Sequence, residues 1–192
     1  MLRSTRLAVL VGLGLLALGS AARAEIDPLT RQPLVTYVDP AKAQATAIPR
    51  EIVDYPTRQR PGTIVVNTTE RRLYFVLPDG KAMRYGVGVG RPGFDWAGAH
   101  AITRKAEWPS WTPPSQMLKR RPDLPRHMAG GPDNPLGARA LYIGSTLYRI
   151  HGSNEPETIG QAVSSGCIRM LNEDVIDLYD RAKVGTRVVV AR

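Results

Sequence analysis

Cysteine is nearly absent from this chain: Cys167 is the only one in 192 residues. No disulfide can close within the chain, which excludes a disulfide-stapled scaffold. With three histidines and that one thiol, no zinc ligand set can be assembled at the usual spacing. Aromatic residues make up 6% of the chain. There is no RNA-binding aromatic motif and no arginine-rich helix, so nucleic acid is not expected as a partner. Acidic residues are outnumbered 17 to 26 by basic ones, for a formal net charge of +9. What is plentiful is glycine (18) and proline (16), which favour turns and short strands over long helices. At 43% hydrophobic there is enough apolar material for the core of one domain.

Long apolar runs are missing except at the start. Arg3 and Arg6 precede the run from Leu7 to Leu18, and Ala22-Arg23-Ala24 forms an A-x-A cleavage site before Glu25. Residues 1–24 therefore read as a secretory signal peptide, the alternative being an uncleaved N-terminal anchor. Their removal takes three arginines and no acid, leaving +6. A basic exported protein suits an anionic wall polymer or a membrane surface, unless the charge serves solubility alone.

Residues 25–60 carry five prolines without a sustained period and read as an N-terminal arm or linker. From Gly62 the pattern changes. Thr63–Asn67, Arg72–Leu77 and Ala82–Val89 read as an antiparallel meander, with Pro78-Asp79-Gly80 turning the chain. Residues 91–137 look irregular apart from a short helix over Ser115–Arg120; their tryptophans suggest a wall or lid beside a site. Ala140–Ile143 and Leu147–His151 read as a hairpin ending on the histidine. A helix follows, with Asn172 as its N-cap and Val175, Leu178, Tyr179 and Ala182 on one face. Gly185 ends it, and Thr186–Val190 is a last strand.

Cys167 is a buried passenger, half of an intermolecular bridge, or a nucleophile. His151, at a strand end, offers an imidazole that can take the thiol proton and later return it to a leaving amine. The carbonyl of Gly152 or the hydroxyl of Ser153 would fix its tautomer. Gly166 frees the backbone beside the thiol, so N–H groups there can meet an oxyanion. Arg169 would hold a substrate carboxylate or brace the loop. His100 and His127 lie in the irregular stretch and rank below His151 as bases. Gly86-Val87-Gly88-Val89-Gly90-Arg91-Pro92-Gly93 is not a phosphate loop, since no Lys-Ser/Thr follows and no helix opens; it reads as a strand packed close to other backbone.

The pair formed by His151-Gly152 and Ser164-Ser165-Gly166-Cys167-Ile168-Arg169-Met170 resembles the signature of the L,D-transpeptidase catalytic domain, the YkuD-type domain. Gly62–Val66, Gly86–Gly90, Trp108-Pro109 and Asn134–Gly137 resemble its supporting segments. Many members carry Ser-His-Gly-Cys, whereas Ser165 stands here in place of that second histidine. The resemblance implies a mainly β domain over residues 61–192, barrel- or sandwich-like with short helices. It implies a periplasmic enzyme of cell-wall biogenesis acting on peptidoglycan stem peptides without a metal or organic cofactor. Cys167 would attack the L-centre carbonyl of the diamino acid at the third stem position, with His151 as proton acceptor and donor, Gly152 orienting it and Gly166 at the oxyanion site. Ser153, Ser164, Ser165 and Arg169 would contact substrate. D-Ala would leave, and an amine of another stem peptide, or of an anchored lipoprotein or outer-membrane protein, would resolve the thioester. Carbapenems acylate the same cysteine in this family. The alternatives are an L,D-carboxypeptidase or a hydrolase releasing wall-bound protein through the same acyl-enzyme, or a wall-binding module with an inert thiol.

Overall fold

The computed structural model describes residues 48–192. The expected signal peptide and residues 25–47 of the expected arm lie outside them. Eleven strands run β1 Glu51–Asp54, β2 Ile64–Asn67, β3 Arg72–Val76, β4 Lys81–Gly86, β5 Val89–Gly90, β6 Gly98–Glu107, β7 Arg139–Ile143, β8 Arg149–His151, β9 Ala162–Ser164, β10 Ile168–Arg169 and β11 Arg187–Ala191. Two helices, α1 Ser115–Arg120 and α2 Asn172–Arg181, and a 3-10 turn at Pro156–Thr158 complete the described elements.

The strands build a nine-stranded sheet in the order β1-β4-β3-β2-β11-β6-β7-β8-β10, with β5 and β9 as a separate pair. The β2–β3–β4 meander is antiparallel as its turns demand. Three pairings are parallel: β11 beside β2 and β10 beside β8 in the large sheet, and β5 beside β9 in the separate pair. This is the mainly β architecture expected from the short β-branched runs.

The core lies under one face of α2. Val175, Leu178 and Ala182 are buried there, at the i, i+3, i+7 spacing of an amphipathic helix. They join Leu141, Ile143, Ile150 and Ile168 from the sheet, and Met170 just after β10, in one buried cluster. Tyr85 of β4 is fully buried and donates its hydroxyl to Asp177 of α2 at 2.5 Å, while Arg181 clamps the same carboxylate at 2.8 and 3.0 Å.

Four features depart from the reading of the sequence. The stretch over residues 91–137 holds a ten-residue strand, β6, paired with β11 and β7. Its sequence hides it because Ile102 is its only fully buried residue. Arg104 instead lays its guanidinium over Tyr142 at 3.6 Å, and Lys105 its ammonium over Tyr179 at 3.9 Å. Long charged side chains thus do the covering that apolar ones do elsewhere. The expected third strand divides into β4 and β5 around Val87 and Gly88. Gly88 exchanges backbone hydrogen bonds with Arg169, and a Cβ on it would meet the Thr158 carbonyl at 2.6 Å, so the close backbone approach read from the sequence is real. Asn172 is not an N-cap: Leu171 holds that position, and the Asn172 side chain points to other backbone. The end of the expected arm forms β1, an edge strand laid antiparallel on β4.

Lys105 donates to the carbonyls of Tyr179 and Ala182 at 2.5 and 2.7 Å, capping the C-terminal end of α2. Lys105→Met keeps most of the stem but orphans two carbonyls. It should cost about 1–3 kcal/mol and lower the melting temperature by about 2–10 °C; an unchanged melting curve would mean that water replaces the ammonium.

Candidate active site

The parallel pairing of β8 and β10 builds the site. Ile168 sits opposite Ile150 and Arg169 opposite His151. Continued back by one residue, that register sets Cys167 alongside Arg149. Ile150 points into the core, so Arg149 and His151 leave the other face of β8 together.

Each side of the pair is held by backbone. Met170 N–H donates to the His151 carbonyl at 2.9 Å, and Gly152 N–H to Arg139 at 3.0 Å. The His151 ring Nδ1 lies 2.5 Å from the Gly152 carbonyl oxygen. A carbonyl only accepts, so Nδ1 carries the proton and Nε2 is left as the acceptor in the neutral ring. Ser153, the other candidate for that task, accepts the Glu155 N–H at 3.0 Å instead.

The cysteine turn is equally constrained. Gly166 has φ +105°, and a Cβ there would run into the Tyr148 ring. Tyr148 stacks on Trp96 with ring centres 4.6 Å apart, and the Trp96 indole N–H donates to the Gly166 carbonyl at 2.8 Å. Ser164 Oγ accepts from Gly166 N–H at 3.1 Å and donates to the Cys167 carbonyl at 2.6 Å. The Gly166 amide, the expected oxyanion donor, is therefore spent inside the turn.

A cleft of about 340 Å³ opens over these groups. Cys167, His151, Ser164, Ser165 and Arg169 all line it, together with Arg149. Gly152, Ser153 and Gly166 stand behind as supports. Phe94, Trp111, Met117 and Pro135 form the walls, so the segment 91–137 flanks the site as its tryptophans suggested. A second groove of about 460 Å³ meets the cleft at Ser164, Ser165 and Arg169 and runs past Arg91 and Arg121. Neither His100 nor His127 reaches the cleft: His100 packs edge-on to Trp96, and His127 contacts Thr112 at 3.3 Å.

Burial sets the charge state. It drives the His151 imidazole down to about 3, against the help of the Gly152 carbonyl, and Arg169 and Arg149 push the same way. Burial also pushes the partly accessible Cys167 thiol up, with Arg149 and Arg169 opposing it. At neutral pH the thiol, whose Sγ lies 3.9 Å from the Leu147 carbonyl, and the imidazole across the same cleft are both neutral rather than an ion pair. Such a pair can hand the proton over as a bond forms at sulfur.

Three contributors escaped the sequence reading. Asn172 Oδ1 accepts the Ala138 N–H at 2.9 Å and its Nδ2 donates to the Ser153 carbonyl at 3.2 Å, tying α2 to the loop behind His151. Trp96 lies 70 residues from the carbonyl it holds, and no local pattern announces that. Arg149 had a signal in reach: it is two residues from His151 on one strand, hence on its face.

A family model for the L,D-transpeptidase catalytic domain, YkuD, matches residues 61–190. The chain is 40% identical over 160 residues to a protein of Escherichia coli K12 named probable L,D-transpeptidase ErfK/SrfK, covering 79% of this chain and 50% of that one. It thus spans about half the length of the curated relatives it matches. A solved structure from Brucella melitensis, described as a probable carnitine operon oxidoreductase, is 42% identical, with 79% of this chain and 99% of that one covered at a TM-score of 0.52. L,D-transpeptidase 3 of Mycobacterium tuberculosis, solved with a faropenem-derived adduct, shares the fold at a TM-score of 0.55, with 18% identity over 68% of this chain and 60% of that one.

Two measurements bear on this geometry. Alkylation of Cys167 by iodoacetamide should climb through and beyond about pH 9, with no plateau between about pH 5 and 8; a plateau there would reveal a thiolate–imidazolium pair. Asn172→Ala orphans a buried N–H and a carbonyl. It should destabilise the protein by about 1–3 kcal/mol in urea unfolding, and an unaltered midpoint would show that the tie carries no weight.

Proposed function

The chain belongs to the L,D-transpeptidase catalytic-domain family, and we propose that it is a periplasmic acyltransferase acting on peptidoglycan stem peptides through Cys167. The observation that carries this reading is the shared cleft: the only thiol of the chain opens beside an imidazole whose free nitrogen is fixed by the Gly152 carbonyl.

The donor peptide enters with the L-centre carbonyl of its third residue against Cys167 Sγ. Sulfur forms a bond to that carbon as His151 Nε2 takes the thiol proton. The oxyanion faces the Cys167 N–H, since the Gly166 amide is engaged by Ser164. Collapse breaks the C–N bond, and His151 returns the proton to the departing amine of D-Ala. The thioester is then attacked by an amine, whose proton passes to His151 and back to the thiol. Ser165 and the cleft walls contact the peptide; Ser164, Ser153 and Gly152 support the two reacting groups.

Transfer rather than hydrolysis is favoured by the second groove, which meets the cleft beside the cysteine and leaves room for an acceptor chain. Amines of another stem peptide, of a lipoprotein or of an outer-membrane protein fit this scheme equally.

The purified protein incubated with tetrapeptide wall fragments should give cross-linked dimers by mass spectrometry. Shortened monomers alone would make it a carboxypeptidase. Cys167→Ala should abolish both products, and if it retained either, the nucleophile would lie elsewhere. His151→Ala should slow acyl-enzyme formation by about 100-fold or more; an unchanged rate would remove it as the base.

A further inference from the structure

Arg169, the cation expected to meet a substrate carboxylate, is already engaged: it binds Glu155 at 2.7 Å and reaches the Thr158 hydroxyl at 3.3 Å. Arg149 is not. Among the described residues it takes part in no ion pair. Its Nε is buried without a hydrogen-bond partner, and the Tyr142 ring lies 5.3 Å from its Cζ. It lines the cleft with Cys167 and His151, on the His151 face of β8 and beside the cysteine by the β8–β10 register. The core does not need it, because Ile150 supplies the packing of this strand. A half-buried guanidinium without a counter-ion is unfavourable until an anion joins it. Its planar fork suits a carboxylate, which it can hold by two parallel hydrogen bonds.

We propose that Arg149 is a specificity residue of the acylation step and that its guanidinium takes the α-carboxylate of the terminal D-amino acid that leaves. The proposal rests on the acyl-transfer reading above. With Sγ against the scissile carbonyl, only the amide nitrogen and one α-carbon separate that carbonyl from the terminal carboxylate. The carboxylate therefore falls next to the thiol, where Arg149 stands. The other carboxylates of a stem peptide lie upstream or on the diamino-acid side chain. The exposed Arg120, over the Phe94 ring at 5.3 Å, is another cation of the cleft wall and serves as the control. Arg149 exchanges no proton or bond: S–C forms, C–N breaks, and the amine departs with its carboxylate still paired. A donor that ends in a free carboxylate one residue past the scissile bond is thereby selected over one that is blocked or longer.

The test compares acyl-enzyme formation, followed by intact-protein mass spectrometry, from a tetrapeptide donor with a C-terminal carboxylate and from the same donor as carboxamide. The wild-type protein should prefer the acid by about 10- to 100-fold in kcat/KM, the range for a hydrogen-bonded charge. Arg149→Gln should bring that preference close to one, Arg149→Lys should keep part of it, and Arg120→Gln should leave it in place. If acid and amide donors lose rate equally in Arg149→Gln, or if the preference vanishes in Arg120→Gln instead, the assignment fails while the acyl-transfer reading stands. If the wild-type protein forms no acyl-enzyme from either donor, that reading fails first.

Discussion

Everything at the site hangs on two residues of parallel β-ladder, Ile168 beside Ile150 and Arg169 beside His151. Parallel neighbours cannot be joined by a tight turn, so the chain must travel out and return. Residues 152–167 make that excursion through the 3-10 turn and β9, and β9 is held in place by β5. On its other side Arg169 exchanges two backbone hydrogen bonds with Gly88, at 2.8 and 2.9 Å. The thiol and the imidazole are therefore placed by main-chain bonding rather than by the reach of mobile side chains. Holding reacting groups on rigid elements removes the entropy cost of bringing them together later.

The electrostatics follow from that burial. The third partner of His151 is a carbonyl, not a carboxylate. A carbonyl fixes ring orientation and tautomer but gives an imidazolium little stabilisation. With arginines at 149 and 169 adding their charge, the imidazole stays neutral far below its ordinary range. The same burial keeps the thiol protonated, and here the arginines oppose it. In the proposed mechanism such a thiol is quiet at rest and becomes reactive only when a carbonyl arrives to accept the electron pair as the proton moves. That restraint also limits random alkylation and oxidation of the lone thiol.

Much of this was legible in the residues. The strands of the meander, the His151 hairpin, the α1 span and the apolar face of α2 follow from period and turn chemistry that tertiary packing does not contradict. Cys167 and His151 stood out because a lone thiol and a strand-end histidine are rare and chemically loaded. What escaped detection did so for definite reasons. β6 lacks alternation because Arg104 and Lys105 cover aromatic rings with their stems. Asn172 has the composition of an N-cap, and its side chain is claimed by backbone 34 and 19 residues away. Ser164 and Arg169 have the chemistry of substrate binders, yet each is committed to an internal partner that only the fold brings near.

On the proposed acyl-transfer reading, the cysteine and the histidine act alike whichever group resolves the acyl-enzyme, which turns attention to the wall between β6 and β7. Residues 108–138 leave the sheet at Trp108, whose N–H donates to the Ala138 carbonyl at 2.8 Å, and so the excursion is closed at its base. Midway, Trp111 and Met128 exchange two backbone hydrogen bonds of 2.8 Å each. Asn134 holds the return strand through the Ala129 carbonyl at 2.8 Å and the Leu136 N–H at 2.9 Å. A segment pinned at three levels keeps its shape over the cleft, and it presents Trp111, Met117 and Pro135 to it. Apolar cover over a thioester lowers the local supply of water without hindering an amine that arrives on a bound peptide along the adjoining groove. Since the proposed roles of Cys167 and His151 are the same in hydrolysis and in transfer, the proposed preference for transfer rests on this wall and the groove beside it.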